Sequence, residues 1–153
     1  MSAIQNCSAY SDAQKTFCLR YPSNYSCASA EVLALLLAGE KLTSNDTLRQ
    51  CSTMRAAAIV NYLKTRYKWP IESIPMTVGC ADGRIVTIAC YQLPKHIIHS
   101  AIASGAERWC ALVLQARMKL RKKAPAAYRR ASNIECARKK PIQLGQGDLF
   151  QGA

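Results

Sequence analysis

The sequence predicts an α+β chain that is mainly α, with three helices, a β-hairpin, a long C-terminal helix and a basic tail. Three observations carry this reading. Apolar residues recur at three- and four-residue steps between Ser29 and Lys68. Two alternating segments, Glu72 to Val78 and Arg84 to Leu93, flank Gly79-Cys80-Ala81-Asp82-Gly83, whose Asp-Gly pair supplies the positive-φ positions a hairpin turn needs. Helical periodicity returns after Pro94 and runs into a cluster of Lys and Arg.

Taken in order, residues 1–27 are rich in Ser, Gln, Asn, Tyr and Cys without a helical or strand period, which predicts an irregular arm. Tyr21-Pro22-Ser23-Asn24-Tyr25 is a turn signal within it, and Tyr10, Phe17 and Tyr21 offer an alternative in which the arm is anchored to the body. The first helix starts near Ser29 as cap, places Glu31 where the helix dipole favours an anion, turns Val32, Leu33, Leu36 and Leu37 inward and stops at Gly39. Thr43-Ser44-Asn45-Asp46 has the form of a capping box and opens a short second helix through Gln50. A third helix is predicted from Met54 to Lys68, with Ala57, Val60, Leu63 and Tyr67 inward, and Pro70 ends it.

From Pro94 one long helix is predicted, with Ile98, Ile102, Ala106, Trp109, Val113, Ala116 and Leu120 as its apolar seam and Gly105 as a point of division. Such a seam suits either packing on the helical body or pairing with a second copy, a homodimer. The organisation is therefore an irregular arm 1–27, a helix-and-hairpin domain 28–94, an amphipathic basic helix 95–123 and a flexible basic tail 124–153.

Composition narrows the partners. The 21 Lys and Arg against 9 Asp and Glu give +12, unevenly spread: residues 1–94 hold 9 basic and 6 acidic side chains, residues 95–153 hold 12 and 3. A positive field concentrated in one half points to a polyanion, nucleic acid before membrane, since no run of apolar residues is long enough to span a bilayer. The start of the chain lacks the basic and apolar regions of a secretory signal, and the eight cysteines form no C-x-x-C pair, so reduced thiols in a cytoplasmic protein are expected. An enzyme is the least favoured class. The acidic residues are spread singly, and Gly79 to Gly83 lacks the Lys-Ser/Thr of a phosphate loop. His96 and His99 have no nearby partner set for metal or nucleophile chemistry, so no cofactor and no metal is expected.

Three helices followed by a hairpin read as a winged helix. Gly39-Glu40-Lys41-Leu42-Thr43, Met54-Arg55-Ala56-Ala57-Ala58, Trp69-Pro70-Ile71-Glu72 and Tyr91-Gln92-Leu93 resemble a helix-turn-helix domain common in small bacteriophage and prophage proteins, over residues 28–94. The resemblance implies DNA binding without naming an activity. In that family the third helix carries Arg-Leu near its start, a second Arg a turn later and a Leu-Arg pair. This chain keeps Arg55 but has Ala56, Ile59 and Leu63-Lys64 at those places, which implies thin base reading.

A helix-turn-helix lays its second helix in the major groove, start first, which nominates Ser52, Thr53, Arg55, Ala56 and Ile59 for bases. Lys64, Arg66, Lys68 and the hairpin's Arg84, with Arg117, Lys119, Arg121, Lys122 and Lys123, are nominated for phosphates of double-stranded DNA.

The tail ends in Gln146-Gly147-Asp148-Leu149-Phe150, which resembles the peptide by which bacterial replication and repair proteins dock onto the sliding clamp. In such a peptide Leu149 and Phe150 would each gain about 2 kcal/mol in an apolar cleft, while the Gln146 amide supplies directional hydrogen bonds. An overlapping register from Gln143-Leu144 is also open. The reading is a DNA-binding accessory or regulatory protein of phage type, acting in a bacterial cytoplasm and recruited to the clamp through Gln146, Asp148, Leu149 and Phe150. Two alternatives stay open: a transcriptional regulator without clamp binding, and a non-enzymatic inhibitor that binds a host complex.

Overall fold

The computed structural model describes residues 19–139. These form six helices and a small antiparallel sheet, so the coarse α+β, mainly helical class is the one observed. The elements are α1 (Ala28–Leu37), β1 (Leu42–Thr43), α2 (Ser44–Cys51), α3 (Ala56–Tyr67), β2 (Glu72–Gly79), β3 (Ile85–Gln92), α4 (Lys95–Ala103), α5 (Ala106–Arg121) and α6 (Ala124–Lys139).

Local chemistry explains most of the boundaries. The cap of α1 is Cys27 rather than Ser29: its sulfur accepts from the Ala30 N–H at 3.4 Å. Gly39, at φ +85°, closes that helix as expected. The predicted capping box is present at α2, where the Asp46 carboxylate accepts from the Thr43 N–H (2.9 Å) and hydroxyl (2.6 Å) and the Thr43 hydroxyl accepts from the Asp46 N–H. These bonds hold the Asp46 carboxyl below its ordinary range, the Thr43 hydroxyl contributing most.

The hairpin pairs Glu72 with Gln92 through to Gly79 with Ile85. Only Gly83 of the Asp-Gly pair takes positive φ; Asp82 instead uses its carboxylate to hold the Arg84 N–H at 3.1 Å. The sequence did not anticipate β1, which adds to β3 through Leu42–Tyr91 and Thr43–Cys90, giving the order β1-β3-β2.

The core lies where α1, α3, the base of the sheet and the start of α4 meet. Leu33, Leu36, Leu42, Leu63, Trp69 and Ile71 are fully buried there. The described part of the N-terminal arm is anchored, as the alternative reading had it for Tyr21. That ring lies 5.4 Å from Trp69 and 5.0 Å from Trp109, and the two indoles donate to the carbonyls of Arg20 and Pro22. Tyr10 and Phe17 lie outside the described residues.

In the C-terminal half the helical stretch divides where expected: Gly105 takes φ +89° between α4 and α5, and α5 packs along α1 through Ala106 and Val113. One expectation is corrected. Residues 124–139, expected as flexible tail, form α6. Pro125 falls in its first turn, where the missing N–H breaks no helical bond and the fixed φ starts a helix instead of ending one.

Candidate nucleic-acid interface

The turn between α2 and α3 sets up the site. Ser52 closes α2 in the left-handed region at φ +56°, and the Thr53 hydroxyl accepts from the Arg55 N–H at 3.2 Å. Arg55 is the N-cap residue of α3 and has no side-chain capping bond, so the helix start presents free N–H groups beside an exposed guanidinium. Ser52 and Arg55 are exposed, and Thr53 is half-buried.

Two of the residues nominated for base reading point the other way. Helix α3 starts at Ala56 rather than Met54, and Ala56, four residues before Val60 and seven before Leu63, shares their buried stripe: it is 1% exposed and fills the core, and Ile59 is half-buried against it. The predicted inward residue Ala57 is exposed instead. The outer face of α3 consists of Ala57, Ala58, Asn61, Tyr62 and Thr65. Asn61, not nominated from the sequence, offers an amide whose carbonyl and NH2 together match the adenine edge. Its signal was the helical period itself: it lies roughly 100° from Val60 and roughly 160° from Leu63, off the buried stripe. Tyr62 beside it is held edge-on against Tyr67, with centroids 5.5 Å apart.

The cations divide into free and engaged. Lys64 and Arg66 are exposed on the last turn of α3, about 200° apart around the axis, and so serve opposite flanks. Lys68 is exposed just after, in the left-handed region. Arg84 on the hairpin is held 2.6 Å from Asp82, an exposed pair of the kind that adds little stability and yields readily to a stronger anion. Lys119, Lys122 and Lys123 are exposed at the end of α5, and Lys119 and Lys123 edge a shallow groove of about 320 Å³ with Tyr25 and Leu112.

Arg117 and Arg121, nominated with them, are engaged within the molecule, Arg117 buried and Arg121 half-exposed. The Arg117 Nε donates to Glu31 at 2.6 Å, and its two terminal nitrogens donate to the carbonyls of Ser26 (3.0 Å) and Cys51 (2.9 Å). Its side chain is 14% exposed and that of Glu31 only 3%. Arg121 donates to the other Glu31 oxygen and to the Gln50 carbonyl. Both guanidiniums thus clamp α5 to α1 and to the end of α2, and the phosphate-contact assignment loses Arg117 outright, because its donors are spent and its surroundings closed. The nearby Cys51 thiol is pushed up to about 11 by burial first and by the Glu31 carboxylate second, against the pull of the two arginines.

The docking residues Gln146, Asp148, Leu149 and Phe150 lie outside the described residues. Among the described residues no helix is long and apolar enough to cross a membrane, and no three His, Cys, Asp or Glu side chains come together as a metal site; His96 and His99 are exposed on α4. No protein-family model, no curated protein and no solved structure matches the chain.

Proposed function

We propose that the chain is a DNA-binding accessory or regulatory protein of phage or mobile-element type, with residues 28–94 acting as a winged helix-turn-helix and the terminal peptide recruiting the bacterial sliding clamp. The observation that carries the DNA half is the α2–α3 unit. A left-handed turn delivers the uncapped start of α3 and Arg55 to solvent, the outer face of α3 carries Ala57, Ala58, Asn61 and Thr65 with the Tyr62 ring toward its Arg66 edge, and a hairpin follows it. A face of Ala57, Ala58 and Asn61 fits a groove floor, with Lys64 and Arg66 flanking it toward the two phosphate walls. Base reading then rests on Arg55 and Asn61 in place of Ala56 and Ile59. Lys68, Arg84, Lys119, Lys122 and Lys123 add affinity that falls with salt.

The clamp half rests on the residue pattern of Gln146-Gly147-Asp148-Leu149-Phe150 alone. Pulldown of purified clamp by the full chain, with and without Leu149→Ala/Phe150→Ala, tests it. Capture by the wild type and loss in the double variant is the expected result; equal recovery, or none by either, overturns clamp recruitment and leaves a regulator without it.

A further inference from the structure

Helix α6 has sixteen residues, none of them buried, and no other described element packs extensively on it. A lone helix of that length is marginal in water, because helices in proteins draw most of their stability from a packed face. A binding partner is what would give this helix a packed face, and its charge says which kind suits it. Arg129, Arg130, Arg138 and Lys139 are exposed on α6, and Lys119, Lys122 and Lys123 lead into it. Between Lys119 and Lys139 the one carboxylate is Glu135, itself exposed and 3.8 Å from Lys139.

A second copy is the competing occupant, since Tyr128, Ala131 and Ile134 share one side of the helix and Tyr128 and Ile134 are 77% and 53% exposed. Charge decides against it. Pairing two such helices sets a strongly positive segment against its like, and like charges repel by about as much as opposite charges attract. A duplex has the opposite property, with one negative charge per roughly 1.7 Å of axis. A helix of sixteen residues is about 24 Å long and lies beside more than ten phosphates.

We infer that α6 is a second nucleic-acid-binding element, a basic helix that lies along the duplex backbone and holds it without reading sequence. Arg129 and Arg130, about 100° apart around the axis, bracket a face of Ala126, Asn133 and Ala137. That face allows close approach to the duplex while the two guanidiniums reach the phosphates. The inference rests on the DNA-binding reading of the preceding section but concerns residues which that reading does not use.

The test is a fluorescence-anisotropy titration of two duplexes of unrelated sequence, over a series of salt concentrations, with the full chain and with Arg129→Gln/Arg130→Gln/Arg138→Gln/Lys139→Gln. Because the four substituted side chains are exposed, the variant retains the wild-type melting temperature, which is checked in parallel. The expected result is a fall in the salt slope of about 2 to 4 and roughly tenfold or more weaker binding at low salt, equal for both sequences. If the wild type binds and the variant binds identically, α6 is not a DNA contact, although the α2–α3 site stands. Absence of binding by the wild type removes the DNA reading and this inference together. Sedimentation showing a dimer that Ile134→Glu dissociates would assign α6 to a second copy and overturn the proposal.

Discussion

Glu31→Ala is the most informative single change to the body of this protein. The carboxylate is 3% exposed and receives the Nε of Arg117 at 2.6 Å and a terminal nitrogen of Arg121. Removing it leaves the Arg117 guanidinium, 14% exposed, with no counter-charge, although its bonds to the Ser26 and Cys51 carbonyls remain. Breaking a buried pair from one side costs about 3 to 5 kcal/mol, and the two surviving carbonyl bonds place this case near 3. The half-exposed Arg121 returns to water at little cost. For a body of this size that loss lowers the melting temperature by about 12 °C.

Thermal unfolding followed by far-UV circular dichroism reads this directly, and Glu31→Ala/Arg117→Met supplies the control. With both charges gone no unpaired buried charge remains, and the double variant recovers part of the loss, the Ser26 and Cys51 carbonyls having given up a donor. Glu31→Ala within about 1 kcal/mol of wild type, or no recovery in the double variant, would show that the pair does not join α1 to α5 in the way described.

Three further outcomes follow from individual contacts. Asp46 titrates below its ordinary value when folded, so the unfolded chain binds more protons on the acid side. Its contribution is complete above the unfolded pKa of about 3.9 and is lost as pH falls through the lower folded value, so the melting temperature of Asp46→Asn varies less with pH across that acid range than that of wild type; parallel curves would contradict the cap bonds. At about pH 8, iodoacetamide followed by peptide mass spectrometry labels the exposed Cys136 and spares Cys51, whose thiol is buried and shifted to about 11; equal labelling in the native protein would refute that burial. The Tyr21 hydroxyl is buried without a hydrogen-bond partner among the described residues, so Tyr21→Phe raises stability by about 1 kcal/mol in denaturant unfolding, whereas a loss of that size would reveal a partner for it.

Signals confined to a few neighbouring residues were legible in the sequence. The capping box at Thr43 and Asp46, the stop at Gly39, the break at Gly105 and the two long strands each follow from side chains or dihedral freedom within about five positions. Longer-range effects were not. Cys27 caps α1 because the turn at Asn24 places its sulfur there, an arrangement the usual ranking of caps does not suggest. Strand β1 is two residues long and exists only because β3 offers it an edge. The helix α6 has neither a buried stripe nor a start signal apart from Pro125, which reads equally as a break.

The candidate site was legible in part. Arg55 and the free lysines stand where the pattern put them, in solvent. Ala56 and Ile59 were misplaced because the inward stripe was extended back from Val60 by three residues to Ala57 rather than by four to Ala56, two alanines that composition cannot tell apart. Arg117 looked like one more cation in a basic cluster, because its partner Glu31 lies 86 positions away in the chain. A lone acid in the first turn of α1 and an arginine on the seam of a later helix pair only once the two helices pack.

Whether α3 reads duplex DNA is settled most directly by equilibrium binding of wild type, Arg55→Ala and Asn61→Ala to a duplex library at about 50 mM salt, with the bound fraction sequenced. The wild type is expected to bind and to enrich a short motif. Asn61→Ala relaxes that motif at an adenine position and Arg55→Ala at a guanine position, each by about 1 to 3 kcal/mol of discrimination. No duplex retained by the wild type, or the same motif recovered at the same strength from all three proteins, would contradict base reading by α3.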